Sequence, residues 1–223
     1  MAVSDLSAVA QDYLKIIWSA TEWSGDPVTV KQLSERMGVR AATVSDGIRR
    51  LVEQGLLVHE PYGGIELTDT GRRHAVAMVR RHRLIKTFLV EELGYGWDEV
   101  HDEAEVLEHA VSDELVARID RRLGFPSRDP HGDPIPTADG TPRRTDAVRL
   151  LDAPTGARLT VARISDADPA VLRYLADLGV GLDTDVTVEE RREFAGDIAV
   201  LIGDAPVVLG ATAASAVWVS RPS

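Results

Sequence analysis

The chain has 223 residues, 44% hydrophobic and 27% charged, long enough for two domains with a sizeable core and ordinary for a globular protein. No apolar run reaches membrane length, the opening Met1-Ala-Val-Ser-Asp5 lacks the basic and apolar regions of a signal peptide, and zero Cys excludes a disulfide framework and thiolate metal sites; the expectation is a cytoplasmic protein with no membrane partner. The net charge of −11 argues against a general polyanion binder. Residues 1–73 hold 8 Lys and Arg against 10 Asp and Glu, so most of the acidic excess lies beyond them.

Residues 6–22 read as a first helix, with Leu14, Ile17, Trp18 and Thr21 at helical spacing and Asp12 on its early part. Thr29-Val-Lys-Gln32 matches a capping box. The short helix that it opens stops at Gly38, a suitable residue for the left-handed helix end. A second helix follows from about Ala41 to Gln54, with Val44, Ile48 and Leu51 inward. Two short helices joined by a glycine-containing turn are the helix-turn-helix pattern. Leu56–His59 and Ile65–Leu67, joined through Pro61-Tyr-Gly-Gly64, read as a β-hairpin, which makes the whole a winged helix. The outward face of the second helix offers Ala42, Thr43 and Asp46 to base edges. Arg40, Arg49, Arg50 and the wing residue Tyr62 would serve phosphates, with Thr29 also a candidate DNA contact.

Thr68 can cap a long helix to about Leu93. It carries Arg72, Arg73, Arg80, Arg81, Arg83 and Lys86, the most basic stretch of the chain, together with His82. Next comes His101-Asp-Glu-Ala-Glu-Val-Leu-Glu-His109, read as a helix that begins at Trp97. At about 100° per residue, Trp97, Val100, Ala104, Leu107 and Val111 form an apolar stripe. His101, Glu105, Glu108 and His109 lie beside it. Two imidazoles and two carboxylates half turned towards a core are costly to bury unpaired. A divalent cation would neutralise the carboxylates and use the imidazole lone pairs. Oxygen and nitrogen ligands suit Mn, Fe(II), Co, Ni or Zn. The plainer alternative is a solvated acidic helix face with two incidental histidines.

Residues 125–146 are proline-rich and aperiodic, a linker or an ordered irregular arm. Beyond Val148 the chain turns to short β runs, with one helix opened by Asp168-Pro169. These give a small, partly open barrel of SH3-like size. No Ser/His/Asp set, P-loop or GxGxxG is present, and the protein is not expected to be an enzyme. The architecture is therefore mainly α: an N-terminal winged helix-turn-helix (1–73), a helical dimerisation and metal-binding domain with its Pro-rich linker (74–146), and a C-terminal SH3-like β domain (147–223).

This order, with Asp12-Tyr-Leu14, Ala42-Thr-Val-Ser45, His82-Arg-Leu84, His101–Asp113 and Asp129-Pro-His-Gly-Asp-Pro-Ile-Pro136, resembles the diphtheria-toxin-repressor family of metal-dependent transcriptional repressors. It looks closest to the actinobacterial manganese-responsive regulators. The resemblance covers nearly the whole chain. It implies a homodimer on double-stranded operator DNA and a primary metal site of Asp12, Glu105, Glu108 and His109. Iron-type members carry soft ligands at the first two of these positions. Hard oxygens there favour Mn(II), with Fe(II) or other divalent metals as in vitro alternatives. It also implies a second site of His82, the residue at position 86, His101 and Asp168. Here position 86 is Lys, and Lys15 stands where one manganese subtype has a carboxylate. A weaker second site is the expectation. The rivals are an iron-dependent repressor of the same family and a winged-helix sensor of an organic effector. The second would need an aromatic-lined pocket, and aromatics make up only 5% of the chain.

Overall fold

Helix α1 (Ala8–Glu22) starts where the Ser7 hydroxyl accepts from the Ala10 N–H. It buries Tyr13, Leu14, Ile17 and Trp18. Our computed structural model of the chain describes residues 5–23, 27–60, 63–143 and 145–222. Helices α2 (Val30–Met37) and α3 (Ala41–Glu53) form the helix-turn-helix. The Thr29–Gln32 capping box is present, and Gly38 ends α2 in the left-handed conformation. Strands β1 (Leu57–His59) and β2 (Ile65–Leu67) pair antiparallel as the wing. Pro61 and Tyr62, at its tip, lie outside the described residues. One core joins these elements to the start of α4 (Asp69–Leu93).

Gly47 fixes how α3 meets α1. A Cβ there would lie 2.5 Å from the Tyr13 hydroxyl. Only the absence of a side chain lets the two helices approach so closely.

The helix of the His101–His109 stretch is shorter than its sequence pattern suggests. α5 spans Val100–Leu107, with Glu108 and His109 in the turn that follows. Its apolar side, Val100 and Ala104, packs on Ile85 and Leu89 of α4. Helix α6 (Asp113–Arg122), capped by Ser112, packs on α4 through Ile119 and Leu84. The following arm is irregular yet ordered, with residues 131–136 buried.

The C-terminal part is one six-stranded antiparallel sheet. Its strands are β3 (Val148–Arg149), β4 (Arg158–Ile164), β5 (Asp185–Arg192), β6 (Asp197–Ile202), β7 (Ala205–Gly210) and β8 (Val217–Ser220), in the order β3-β8-β4-β5-β6-β7. Helices α7 (Pro169–Asp177) and α8 (Ala211–Ser215) complete it. Alternate residues of β4 and β6 enter its core, as period-two burial requires. β3 and α8 are too short to leave a periodic signal, and the sequence reading lacks them. Among the described residues, no helix is long and apolar enough to cross a membrane.

Candidate metal centre

The basic stretch on α4 is exposed only at its start, at Arg72 and Arg73. Arg81, Arg83 and Lys86 are all buried, each against carboxylates of neighbouring elements. With α1, α5, the arm and β4, α4 walls a cleft of about 670 Å³. Asp12, Lys15, His82, His101 and Glu105 line it.

Glu108 is fully buried behind Lys15 and His82 of this lining. One carboxylate oxygen, Oε1, is 2.6 Å from Lys15 Nζ and 3.6 Å from His109 Nε2. The other, Oε2, is 2.5 Å from His82 Nδ1. Burial holds the His82 pKa well below its ordinary value. A neutral His82 therefore donates from Nδ1 to this oxygen.

Asp12, on α1, presents Oδ1 to His109 Nε2 at 3.0 Å. The state of that nitrogen is set from behind. His109 Nδ1 lies 2.8 Å from Gln11 Oε1. Gln11 Nε2 donates to the Leu6 carbonyl, which turns the amide oxygen towards the ring. Nδ1 is then the donor, and Nε2 is the ring nitrogen turned to Asp12. Asp12 Oδ1 is buried and, among the described residues, has no hydrogen-bond donor. Burial raises both Asp12 and Glu108 above their usual carboxylate values. Asp12, Glu108 and His109 thus bring three lone-pair atoms to within 4.8 Å of one another. Two carboxylates and an imidazole at that spacing fit a hard or borderline divalent cation.

The fourth residue expected here, Glu105, stands one step away. Lys15 holds it at 2.5 Å, and it forms an adjoining trio with His82 and Glu108. A third trio is His82, His101 and Asp166. Asp168, expected in that place, instead caps α7: its Oδ1 accepts from the Ala170 N–H at 2.8 Å, and it is exposed. Asp166, two residues earlier, is the carboxylate that reaches His101, at 3.4 Å. The loop between β4 and α7 decides which of the two Asp residues turns inward, and spacing alone does not reveal it.

The third trio fits a metal ion less well than the first: its one carboxylate, Asp166, lies 2.7 Å from Lys86, whereas the first trio adds Asp12 to the Glu108 that Lys15 holds at 2.6 Å. Gln11, Lys15, Asp129, His131 and Asp133 also contribute to the cleft or its walls. Their signal in the sequence is slight. The polar Asp129–Asp133 run between prolines is the only hint that the arm has partners.

On the recognition helix, Ala42, Thr43, Asp46, Arg49 and Arg50 are all exposed, as are Arg40 and Thr29. Asp46 and Arg49 pair with each other at 2.9 Å.

Three family models match in tandem. Residues 5–65 match the iron dependent repressor N-terminal DNA binding domain. Residues 68–137 match the iron dependent repressor metal binding and dimerisation domain, and residues 148–221 the FeoA domain. The iron-dependent repressor IdeR of Mycobacterium leprae is 32% identical, over 98% of this chain and all of its own length. The diphtheria toxin repressor of Corynebacterium diphtheriae is 31% identical, over 85% of this chain and 88% of its own. A solved manganese-dependent transcriptional repressor in complex with manganese shares 61% identity at a TM-score of 0.92, covering 96% of this chain and all of the other. The manganese regulator SloR shares 31% at 0.82, covering 96% and 98%. A winged helix, a helical metal-binding domain and a small β domain of this kind define the class of metal-dependent transcriptional repressors. The chain belongs to the iron-dependent repressor family, that of IdeR and the diphtheria toxin repressor.

Proposed function

We propose that this protein is a manganese-responsive repressor that binds operator DNA as a homodimer and controls metal-transport genes. The observation that carries the reading is the Asp12–Glu108–His109 cluster, which spans two elements: Asp12 belongs to α1 and the other two follow α5. When bound, a divalent cation supplies positive charge that both elements share. Asp12 and Glu108 offer hard oxygens and His109 a borderline nitrogen, and no thiolate is present to favour softer metals. The manganese complex at 61% identity supports the choice of metal. Glu105 contributes from the second rank, held ready by Lys15. Any ion at His82 and His101 binds more weakly than at the primary cluster.

The route from site to DNA runs through α1. Tyr13 follows Asp12 directly and packs against Gly47 of α3. Holding Asp12 against Glu108 and His109 therefore sets the position of the recognition helix. In a dimer, two such helices must meet successive major grooves about 34–36 Å apart. A ligand shifts an equilibrium only through differential affinity. Here the difference arises because the ligand set is complete only with α1 docked. Ala42, Thr43 and Asp46 then face bases, with Arg40, Arg49, Arg50 and Thr29 towards the backbone.

Fluorescence anisotropy on DNA upstream of the protein's own gene and of neighbouring transporter genes tests this. Binding should be tight with Mn(II), weaker with Fe(II) or Zn(II), absent without metal, and lost in Glu108→Ala. Equal binding with and without metal would refute the switch.

A further inference from the structure

The same cleft is lined by a buried ammonium of the chain's own. Lys86, midway along α4, is 2% exposed. Its ammonium lies 2.6 Å from Asp129 Oδ2, 2.7 Å from Asp166 Oδ2 and 3.4 Å from His131 Nδ1. His131 is fully buried, and its Nε2 lies 2.7 Å from the Trp97 carbonyl. A carbonyl only accepts, so Nε2 is the donor and the neutral ring turns the Nδ1 lone pair to Lys86. An ammonium has three N–H groups, and three acceptors surround this one.

Those acceptors come from two segments outside α4. Asp129 and His131 belong to the arm after α6, and Asp166 follows β4. Asp129 is preset, since its Oδ1 accepts from the backbone N–H groups of His131 and Asp133 at 2.9 and 3.0 Å. The arm in turn lies against β4. A Cβ on Gly132 would sit 2.1 Å from the Ala162 carbonyl oxygen, and its φ is +89°. Arg163 of β4 continues the contact, with its Nε 2.6 Å from Asp133 Oδ1 and its guanidinium over the rings of Trp23 and Trp218. The ammonium therefore sits where α4, the arm and the β domain converge.

This location bears on metal stoichiometry. His82, His101 and Asp166 are close enough to share an ion, but their only carboxylate is already engaged by Lys86. A divalent cation there would take that carboxylate from a buried ammonium and lie beside its charge. Burial leaves such repulsion poorly screened.

We propose that Lys86 is the resident cation of this second position. Its ammonium, in place of a second metal ion, fastens the β domain to α4, so the chain takes one regulatory ion and keeps its C-terminal domain docked with or without metal. The stoichiometry rests on the metal-sensing reading above; the docking does not.

The test uses the full chain, Lys86→Met, which removes the charge, and Lys86→Glu, which puts a carboxylate beside His82, His101 and Asp166. Mn(II) stoichiometry is read from the EPR signal of unbound Mn(II). Docking is read from hydrogen exchange of residues 127–136 and 158–166 in metal-free protein. Wild type should bind one tight ion per chain and protect both segments without metal. Lys86→Met should still bind one ion but exchange both segments at least tenfold faster. Lys86→Glu should bind two ions and recover protection only with Mn(II). Two equally tight ions in wild type would overturn the proposal, as would unchanged exchange in metal-free Lys86→Met. Wild type binding no ion while Lys86→Met loosens would remove the metal-sensing reading and leave Lys86 as the fastening. The wild-type measurements need no variant, so a Lys86 variant that fails to fold leaves the proposal open to refutation: unprotected segments in metal-free wild type would also overturn it.

Discussion

At His109, the nitrogen that faces Asp12 is chosen by a residue on the ring's far side. Gln11 accepts from Nδ1 and so leaves Nε2 free to ligate. Gln11→Leu should remove that orientation and lower Mn(II) affinity by about 10- to 100-fold, the usual effect of losing a ligand's outer partner. Titration calorimetry measures it, and an unchanged affinity would show that the ring orients itself. Glu108 and His109 stand out in sequence because carboxylates and imidazoles beside an apolar stripe carry their own electrostatic cost; Asp12, alone on its helix, enters only through the family resemblance. Gln11 is not, because an uncharged amide on a helix has no such cost until its partner, 98 residues away, is known. Lys15 shows the opposite failure. In sequence it reads as a missing ligand; in the fold it balances Glu105 and Glu108.

At the scale of elements, period and caps carry most of the information. The capping box at Thr29, the Gly38 stop and the Thr68 cap each place a helix end, and each is a local interaction. α4 defeats the same method. Its charged residues suggest a surface, whereas its neighbours bury Arg81, Arg83 and Lys86 in ion pairs. Burial of charge depends on partners far along the chain, and no helical period encodes it. The α1–α3 contact yields a specific expectation. Gly47→Ala should raise helix propensity by ~0.5–1 kcal/mol, but overpacking against Tyr13 should cost ~1–3 kcal/mol. The net result is a lower midpoint in urea unfolding and weaker operator binding even with saturating Mn(II). A more stable variant would mean that α3 can shift away from α1 freely.

At the scale of the whole molecule, ionic contacts join parts that the sequence reads as separate. Asp133 connects Arg83 of α4, Arg163 of β4 and Trp23 beyond α1. Burial would raise its pKa, but Arg83 and Arg163 hold it below the usual 3.8. A depressed carboxylate stabilises the fold above its unfolded pKa, and that contribution is lost as pH falls through the folded value. Lys86 has the reverse sign. Burial would lower its pKa, Asp129 and Asp166 raise it above the usual 10.5, and its contribution is lost only when pH rises past the raised value. Protection of the arm, corrected for intrinsic exchange, should therefore hold up to about pH 9 and fall in acid, first because the buried His131, which burial keeps below the usual 6.5, is forced to charge, and further below about pH 4 as Asp133 takes up a proton. Protection unchanged down to about pH 3 would contradict this. On the proposed mechanism, metal fastens α1 to the turn after α5. The most direct test is amide exchange across residues 8–22, with and without Mn(II), in wild type and Asp12→Ala. Mn(II) should slow exchange in wild-type α1 and leave the variant unchanged; equal protection of both proteins by Mn(II) would contradict the claim.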